Sequence, residues 1–416
     1  MIKFLDLSKG KLQAVGLGAL GYFFYYLCRY NYPVALPFMK EEFGTSAMNV
    51  GWIATGLTLG YMLGQLINGF LVDRKGPRIM LTIGGIGSMV ANLYMGGNAI
   101  FDLFILGWIV NGYFQAMGYP SAIKLIVNWF KKEERGRADG INEAVQSLAS
   151  ILILPFAGWL AASYSWRLVF FIPAIMLGVI TLVYYFTIKE SPRGISIRST
   201  VPMLTDMKYS YKKAFTDWRL VTADLSYGCC QFVRYAMITW IPAYLYLTTN
   251  MGIFKAAIIG MTFQIGGVVG SLLVGWLSDT KLFINKKWLL ITIGMAISGI
   301  SGACVGLISP ESGITIIAVL IICGMGIEAL EVAYFLTPID YLGKELSATG
   351  VGCMNAVGKG FASLQGFFLG WIIDTFSYAS AFGVAGLFGI LAAILIIPSG
   401  VFAEMGLTIT AVTYQT

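Results

Sequence analysis

The sequence predicts an all-α membrane protein of twelve transmembrane helices, arranged as two pseudo-symmetric six-helix bundles with both termini cytoplasmic. Three observations predict it. Of the 416 residues, 57% are hydrophobic and only 12% charged, with a mean hydropathy of +0.75, whereas a soluble chain carries about twice that charged fraction. Long apolar runs alternate with short charged clusters, and each crossing of the hydrocarbon needs roughly 20 apolar residues. The basic clusters fall on one side, and the second half of the chain repeats motifs of the first.

Charge clusters delimit the twelve runs in order. The first, 12–39, lies between Lys11 and Lys40 and is interrupted only by Arg29. The second, 48–72, ends at Arg74, Lys75 and Arg78, and the third, 79–98, follows that cluster. The fourth, 101–129, closes at Lys131, Lys132, Arg135 and Arg137. Arg167 separates the fifth, 138–162, from the sixth, 167–188. Lys189 to Asp217, with Pro192, Gly194 and Pro202, is the longest hydrophilic stretch; it predicts domains at 1–188 and 218–416 joined by a cytoplasmic linker at 189–217. Beyond it, 219–249 and 255–278 flank Lys255, and Lys281, Lys286 and Lys287 precede 288–308. Lys344 divides 313–339 from 346–373, and 377–403 completes the series. None of these runs has the alternating ten-residue pattern of a membrane β-barrel.

A net charge of +7 could point to nucleic acid, but its distribution argues otherwise. With both termini inside, 21 of the 28 Lys and Arg fall in the N-terminal tail and the even-to-odd loops, while Lys40, Arg167 and Lys255 fall outside. That asymmetry is the positive-inside rule, and it predicts a multi-pass protein of the cell (inner or plasma) membrane. The start, MIKFLDLSKGK, lacks a cleavable signal pattern, so the first run is expected to direct insertion. Six cysteines all lie within runs and none forms a CxxC pair, which indicates neither a disulfide framework nor a zinc site. Histidine is absent, removing the usual proton shuttle at neutral pH. There is no phosphate-cradling GxxxxGK[ST] loop and no nucleophile–base pair, so no enzyme, cofactor or metal is expected.

Two motifs set the internal repeat. Arg29, Tyr30 and Pro37 have the spacing R-Y-x6-P, and Arg234, Tyr235 and Pro242 reproduce it. GFLVD, Gly69 to Asp73, follows the first arginine much as GWLSD, Gly275 to Asp279, follows the second; GWL at Gly158 and GWI at Gly370 add a third pair. Both halves begin on the same side, as in two-lobed transporters with parallel repeats. Ionisable residues inside the membrane are functional candidates by default, and guanidinium donors match carboxylate or phosphate oxygens. Arg29 and Arg234 are therefore expected to hold a substrate oxyanion; the competing reading is an internal salt bridge with a helix acid. Tyr22 and Tyr26, seven and three residues before Arg29, share roughly its face as wall or packing residues. Lys359, among small residues, either binds substrate or pairs with Glu328 or Glu331. Glu328 and Glu331, at i,i+3, and Glu143 near Gln146 are the candidates for a protonatable relay or for charge pairs. Lys124 reads as structural. In GFLVDRKGPR, Gly69 and Gly76 permit a tight turn, while Asp73, Arg74 and Arg78 could form a switchable cytoplasmic charge network, with Asp279 the equivalent acid of the second half. Gly112 and Gly118 are read as close-packing positions.

That loop resembles the characteristic second-to-third-helix loop of the major facilitator superfamily. More narrowly, YYLCRYNYPVALPFM, NGYFQAMGYPSAIKLIVNWFKKEERGRADG and FVRYAMITWIPAYL resemble the organophosphate:phosphate antiporters, the group of glycerol-3-phosphate and hexose-phosphate transporters. The resemblance covers essentially the whole chain. It implies two bundles rocking about a central site, phosphate-binding arginines at Arg29 and Arg234, and tyrosines at Tyr22 and Tyr26. The chain departs from the glycerol-3-phosphate transporter pattern at Gln65, in place of a cavity lysine, Gln146, in place of a histidine, and Gln264, in place of a glutamate; Glu328 and Lys359 replace tyrosines. The segment NWF…ERGRADGI also resembles anion:cation symporters. The expected function is secondary active transport, by rocker-switch alternating access, of an organic anion of the kind that includes phosphorylated metabolites, in exchange for inorganic phosphate, with proton-coupled anion or zwitterion symport as the alternative and a transporter-like sensor as a third reading. The expected partners are a small anion, phosphate or protons as coupling species, and the bilayer; a monomer is expected.

Overall fold

A computed structural model describes residues 9–130, 135–192, 216–278, 280, 283, 286–309, 312–328 and 330–413. Among these residues every regular element is helical. In chain order they are α1 (Lys9–Leu27), α2 (Tyr32–Glu42), α3 (Ala47–Lys75), α4 (Pro77–Gly97), α5 (Phe101–Gln115), α6 (Gly118–Trp129) and α7 (Arg135–Ser163). The series continues with α8 (Leu168–Thr187), α9 (Trp218–Thr248), α10 (Ile253–Ser278), α11 (Lys287–Val305), α12 (Gly313–Glu328), α13 (Glu331–Thr375) and α14 (Tyr378–Thr413). Eight stretches among the described residues are long and apolar enough to cross a membrane. The remaining apolar runs of the sequence correspond to α1 with α2, α3, α5 with α6, and α9.

Two of the runs are broken where proline removes a backbone donor. Pro33 lies in the first turn of α2 and has no N–H to offer the carbonyl four residues back, so the helix opens between Leu27 and Tyr32. Pro120 acts likewise just after α5 ends and α6 begins. In α13 the helical pattern runs through 45 residues, yet it is not one rod. Tyr227 Oη lies 2.9 Å from Glu331 and 3.5 Å from Asn355, residues that a straight helix would hold about 36 Å apart. The chain therefore doubles back between them, consistent with separate apolar runs at 313–339 and 346–373.

The chain divides into two compact units. One comprises Met1–Thr45, Trp52–Val201 and Asn250–Met261; the other comprises Ser46–Gly51, Pro202–Thr249 and Thr262–Thr416. Within the first unit, α3 and α5 approach so closely that a Cβ on Gly112 would lie 2.0 Å from Leu57 O. The second unit repeats this contact, since a Cβ on Gly324 of α12 would lie 1.9 Å from Phe263 O of α10. Small residues at such crossings let backbones meet where lipid supplies no hydrophobic drive. The repeated GW positions behave alike: Gly158 accommodates the start of α10, and Gly370 the start of α3. In the second unit Asp374 also caps α3, accepting from Ala47 N at 2.9 Å and Met48 N at 2.8 Å, which satisfies two otherwise orphaned donors.

Candidate functional site

In the first unit the break after α1 places Arg29 outside regular helix and only 5% exposed. The carbonyls freed by the break are captured by amide side chains of neighbouring helices. Gln115 Nε2 of α5 donates to Tyr25 O at 3.0 Å, while Asn111 Nδ2 and Asn92 Nδ2 donate to Cys28 O at 2.9 and 3.1 Å. Ser88 Oγ donates to Asn111 Oδ1 at 2.6 Å and accepts from Gln115 Nε2 at 2.7 Å. Asn31 Nδ2 donates to Asn92 Oδ1 at 2.9 Å and Val169 O at 3.0 Å. Through this network Gln115 Oε1 accepts from Arg29 Nε at 3.1 Å.

The rest of the guanidinium is surrounded by rings. Its Cζ lies 4.7 Å from the Tyr61 ring centroid, 4.8 Å from that of Tyr26 and 5.9 Å from that of Tyr22. Such faces are attractive to a cation. Tyr26 Oη in turn donates to Gln146 Oε1 of α7 at 2.9 Å. No carboxylate pairs with Arg29 among the described residues, and its Nη2 is buried without a hydrogen-bond partner. An unpaired buried charge is costly, and the described groups that direct this one are neutral. Gln65, one turn beyond Tyr61 on α3, is half-buried.

The second unit treats its arginine differently. Arg234 lies within the continuous helix α9 rather than at a break, so the shared R-Y-x6-P spacing does not carry the same local conformation. Its Nε donates to Glu328 at 2.6 Å, and Nη1 lies 3.2 and 3.1 Å from the two oxygens of Glu331. The ion-pair reading, open from sequence alone, thus describes Arg234 and not Arg29. Glu328 ends α12 and Glu331 begins α13, and the interruption still leaves both carboxylates on Arg234. Tyr227 and Gln231 of α9 also donate to Glu331, at 2.9 and 3.3 Å. Lys359 is buried, donates to Tyr235 Oη at 3.1 Å, and exerts its field on both carboxylates. Gln264 is buried on α10. Asp224, ten residues before Arg234 and so about 15 Å along the axis, is buried with neither oxygen hydrogen-bonded.

In the expected cytoplasmic loop, Gly76 adopts φ +91°, a conformation that disfavours any side chain, and the Glu190 carboxylate sits against it. Arg74 is exposed, and the Arg78 guanidinium lies 5.7 Å from the Tyr185 ring centroid. For Gly69 only the helical backbone is described, and the side chains of Asp73 and Glu143, with Asp279 as a whole, lie outside the described residues. At the end of the linker Asp217 caps α9 and pairs with Arg219 at 2.7 Å, which holds its carboxyl below the usual range. Sequence reasoning did not find Gln115, Asn92, Asn111, Ser88 or Tyr61. The one available signal was the presence of amides at i,i+4, Asn111 and Gln115, within an apolar run.

A helical chain with apolar membrane-length stretches, a buried arginine in a tyrosine cage and a half-buried charge quartet in its other half has the make-up of a multi-pass membrane protein. Residues 18–366 match the model of the Major Facilitator Superfamily, and the chain belongs to that family. It is 27% identical over 287 residues to a probable hexose phosphate transport protein of Chlamydia trachomatis serovar D, covering 63% of this chain and 62% of that protein. It is 28% identical over 416 residues to a probable sulfoacetate transporter of Cupriavidus necator, covering 94% of each. The fold matches that of a bacterial homologue of the lysosomal transporter Spinster, in an inward-facing, unoccupied conformation, with a TM-score of 0.73 at 17% identity over 94% of this chain and 96% of that one.

Proposed function

We propose that the chain is a secondary active transporter of the plasma membrane, which moves a small organic anion by alternating access in exchange for inorganic phosphate. The observation that carries this reading is Arg29, a buried cation with no counter-ion among the described residues and with a nitrogen still to be satisfied. An oxyanion supplies both the charge and the acceptor. The named relatives, a hexose phosphate transport protein and a sulfoacetate transporter, share anionic head groups. On this reading both termini lie in the cytoplasm and the working unit is a monomer of domains 1–188 and 218–416.

A second reading, proton-coupled symport, draws on the two carboxylates beside Arg234. Purified protein in phosphate-loaded vesicles separates the two. Exchange predicts uptake of a labelled organophosphate that depends on internal phosphate and persists when the proton gradient is collapsed. Uptake that needs the gradient and ignores internal phosphate refutes exchange.

A further inference from the structure

One face of α7 carries a polar group for which the Arg29 site has given no use. Ala138, Asn142 and Gln146 follow one another at i,i+4 on this helix, and all three are buried. Ala138 packs with Ile126 and Phe130 at the end of α6. The start of α1 meets the same end, since Lys11 Nζ lies 5.2 Å from the Phe130 ring centroid. Further along both helices, Tyr26 Oη of α1 donates to Gln146 Oε1 of α7 at 2.9 Å. Within the first unit α1 and α7 therefore run side by side in the same direction, and Asn142 stands on α7 between the Phe130 contact and the Tyr26 contact.

Asn142 is 2% exposed, and neither its Nδ2 nor its Oδ1 has a hydrogen-bond partner among the described residues. Other buried amides of this unit are fully used. Asn92, Asn111 and Gln115 each donate through nitrogen and accept through oxygen. Asn142 does neither, and α7 is continuous helix on both sides of it, so no broken backbone needs its amide. Burying a carboxamide in this condition is costly. The second unfilled group, Arg29 Nη2, belongs to the same unit. Tyr26 stands between the two, with its ring centroid 4.8 Å from Arg29 Cζ and its hydroxyl on Gln146, about 6 Å along the axis from Asn142.

We infer that Asn142 is a further substrate-binding residue, which takes a hydroxyl carried on the carbon skeleton beside the anionic head group. The two atoms of the amide select that chemistry. An oxyanion only accepts and leaves Oδ1 unfilled, an ammonium group only donates and leaves Nδ2 unfilled, and a methylene serves neither. A hydroxyl, or a pair of neighbouring hydroxyls, donates to Oδ1 and accepts from Nδ2. The inference rests on the reading of Arg29 as the anion receptor and narrows the substrate class of that site to hydroxylated anions. A site that bonds a hydroxyl discriminates against the analogue without it, because its own polar atoms then stay unpaired.

The test compares glycerol 3-phosphate with propyl phosphate, which share head group and carbon count and differ in two hydroxyls, in thermal-shift titrations of the purified full chain. Wild type is expected to be protected by glycerol 3-phosphate at a concentration at least about tenfold below that needed for propyl phosphate. In Asn142→Leu, which keeps the bulk and removes both polar atoms, the gap narrows to about threefold or less through a loss for the hydroxylated ester. Without ligand this variant melts no lower than wild type, because an unpaired polar group has been removed; Asn142→Ala serves if it fails to fold. An amide with a merely structural role would instead weaken both esters alike and leave the gap. No preference in wild type, a gap that persists in both Asn142 variants, or no protection by either ester overturns the inference. Inorganic phosphate, which has no skeleton, keeps the two readings apart. If its protection is lost in Arg29→Gln while the ester gap ignores Asn142, only the hydroxyl assignment falls. If its protection survives in Arg29→Gln, the receptor reading beneath it falls.

Discussion

Replacing Gln115 with glutamate tests the receptor reading with almost no change of shape. The new carboxylate would stand where Gln115 Oε1 now accepts from Arg29 Nε at 3.1 Å, giving the guanidinium a counter-ion that no described residue supplies. An oxyanion on the far nitrogens would then lie about 5 Å from a fixed negative charge, and at an effective dielectric near 20 the repulsion is about 3 kcal/mol. That corresponds to roughly a hundredfold loss of affinity. Stability should change little. The new ion pair offsets the loss of the amide donor that now serves Tyr25 O and Ser88 Oγ, a loss worth about 1–3 kcal/mol. The assay pairs uptake into phosphate-loaded vesicles with the melting temperature of the same preparation. Uptake within a few-fold of wild type in a folded Gln115→Glu protein would refute the assignment of Arg29 as the anion receptor.

Other variants probe the remaining contacts. Arg234→Gln strands two carboxylates and should lower stability by about 3–5 kcal/mol, visible as a large fall in melting temperature, whereas Arg29→Lys should keep the fold and lose exchange. Equal melting temperatures for the two variants would contradict the difference in pairing. Glu328→Gln is expected to shift the pH profile of uptake, and a profile superimposable on wild type excludes Glu328 from coupling. Asp374→Ala removes the acceptor of two amides at the start of α3 and should cost about 1–2 kcal/mol, read as a lower melting temperature that Asp374→Asn partly restores. Because Arg219 depresses the Asp217 pKa, its stabilisation is present above the unfolded carboxyl value near 3.9 and is lost as pH falls through the folded one. Asp217→Asn should therefore melt earlier than wild type at pH 7, with the gap closing as the solution is acidified.

Hydropathy and the placement of lysines and arginines carried most of the architecture, because the bilayer demands helices of set length whatever their neighbours are. Arg29 was legible for a related reason, since a lone charge in an apolar run has few explanations. Its support was not. Asn92 is an isolated amide, Asn111 and Gln115 share only an i,i+4 spacing, and the partners of all three are carbonyls 64 to 90 residues away in the chain. Pro33 breaks the first run, but which side chains capture the carbonyls freed there depends on which helices pack beside it. Arg234 shows the opposite limit. Its motif matched that of Arg29, while its environment was set by Glu328 and Glu331 on other helices, whose register against α9 no local pattern reports. The reversal within α13, by contrast, was legible, since Lys344 divides the apolar runs 313–339 and 346–373.

The opening between α1 and α2 looks like a hinge, yet side-chain amides tie it to α4, α5 and α8. Arg29 is thus mounted on a braced platform, with its rotamer fixed before any solute arrives. A receptor ordered in advance forfeits little entropy on capture. On the proposed reading of Arg29 as the anion receptor, recognition is then limited by access of the solute to the guanidinium rather than by ordering of the residues around it.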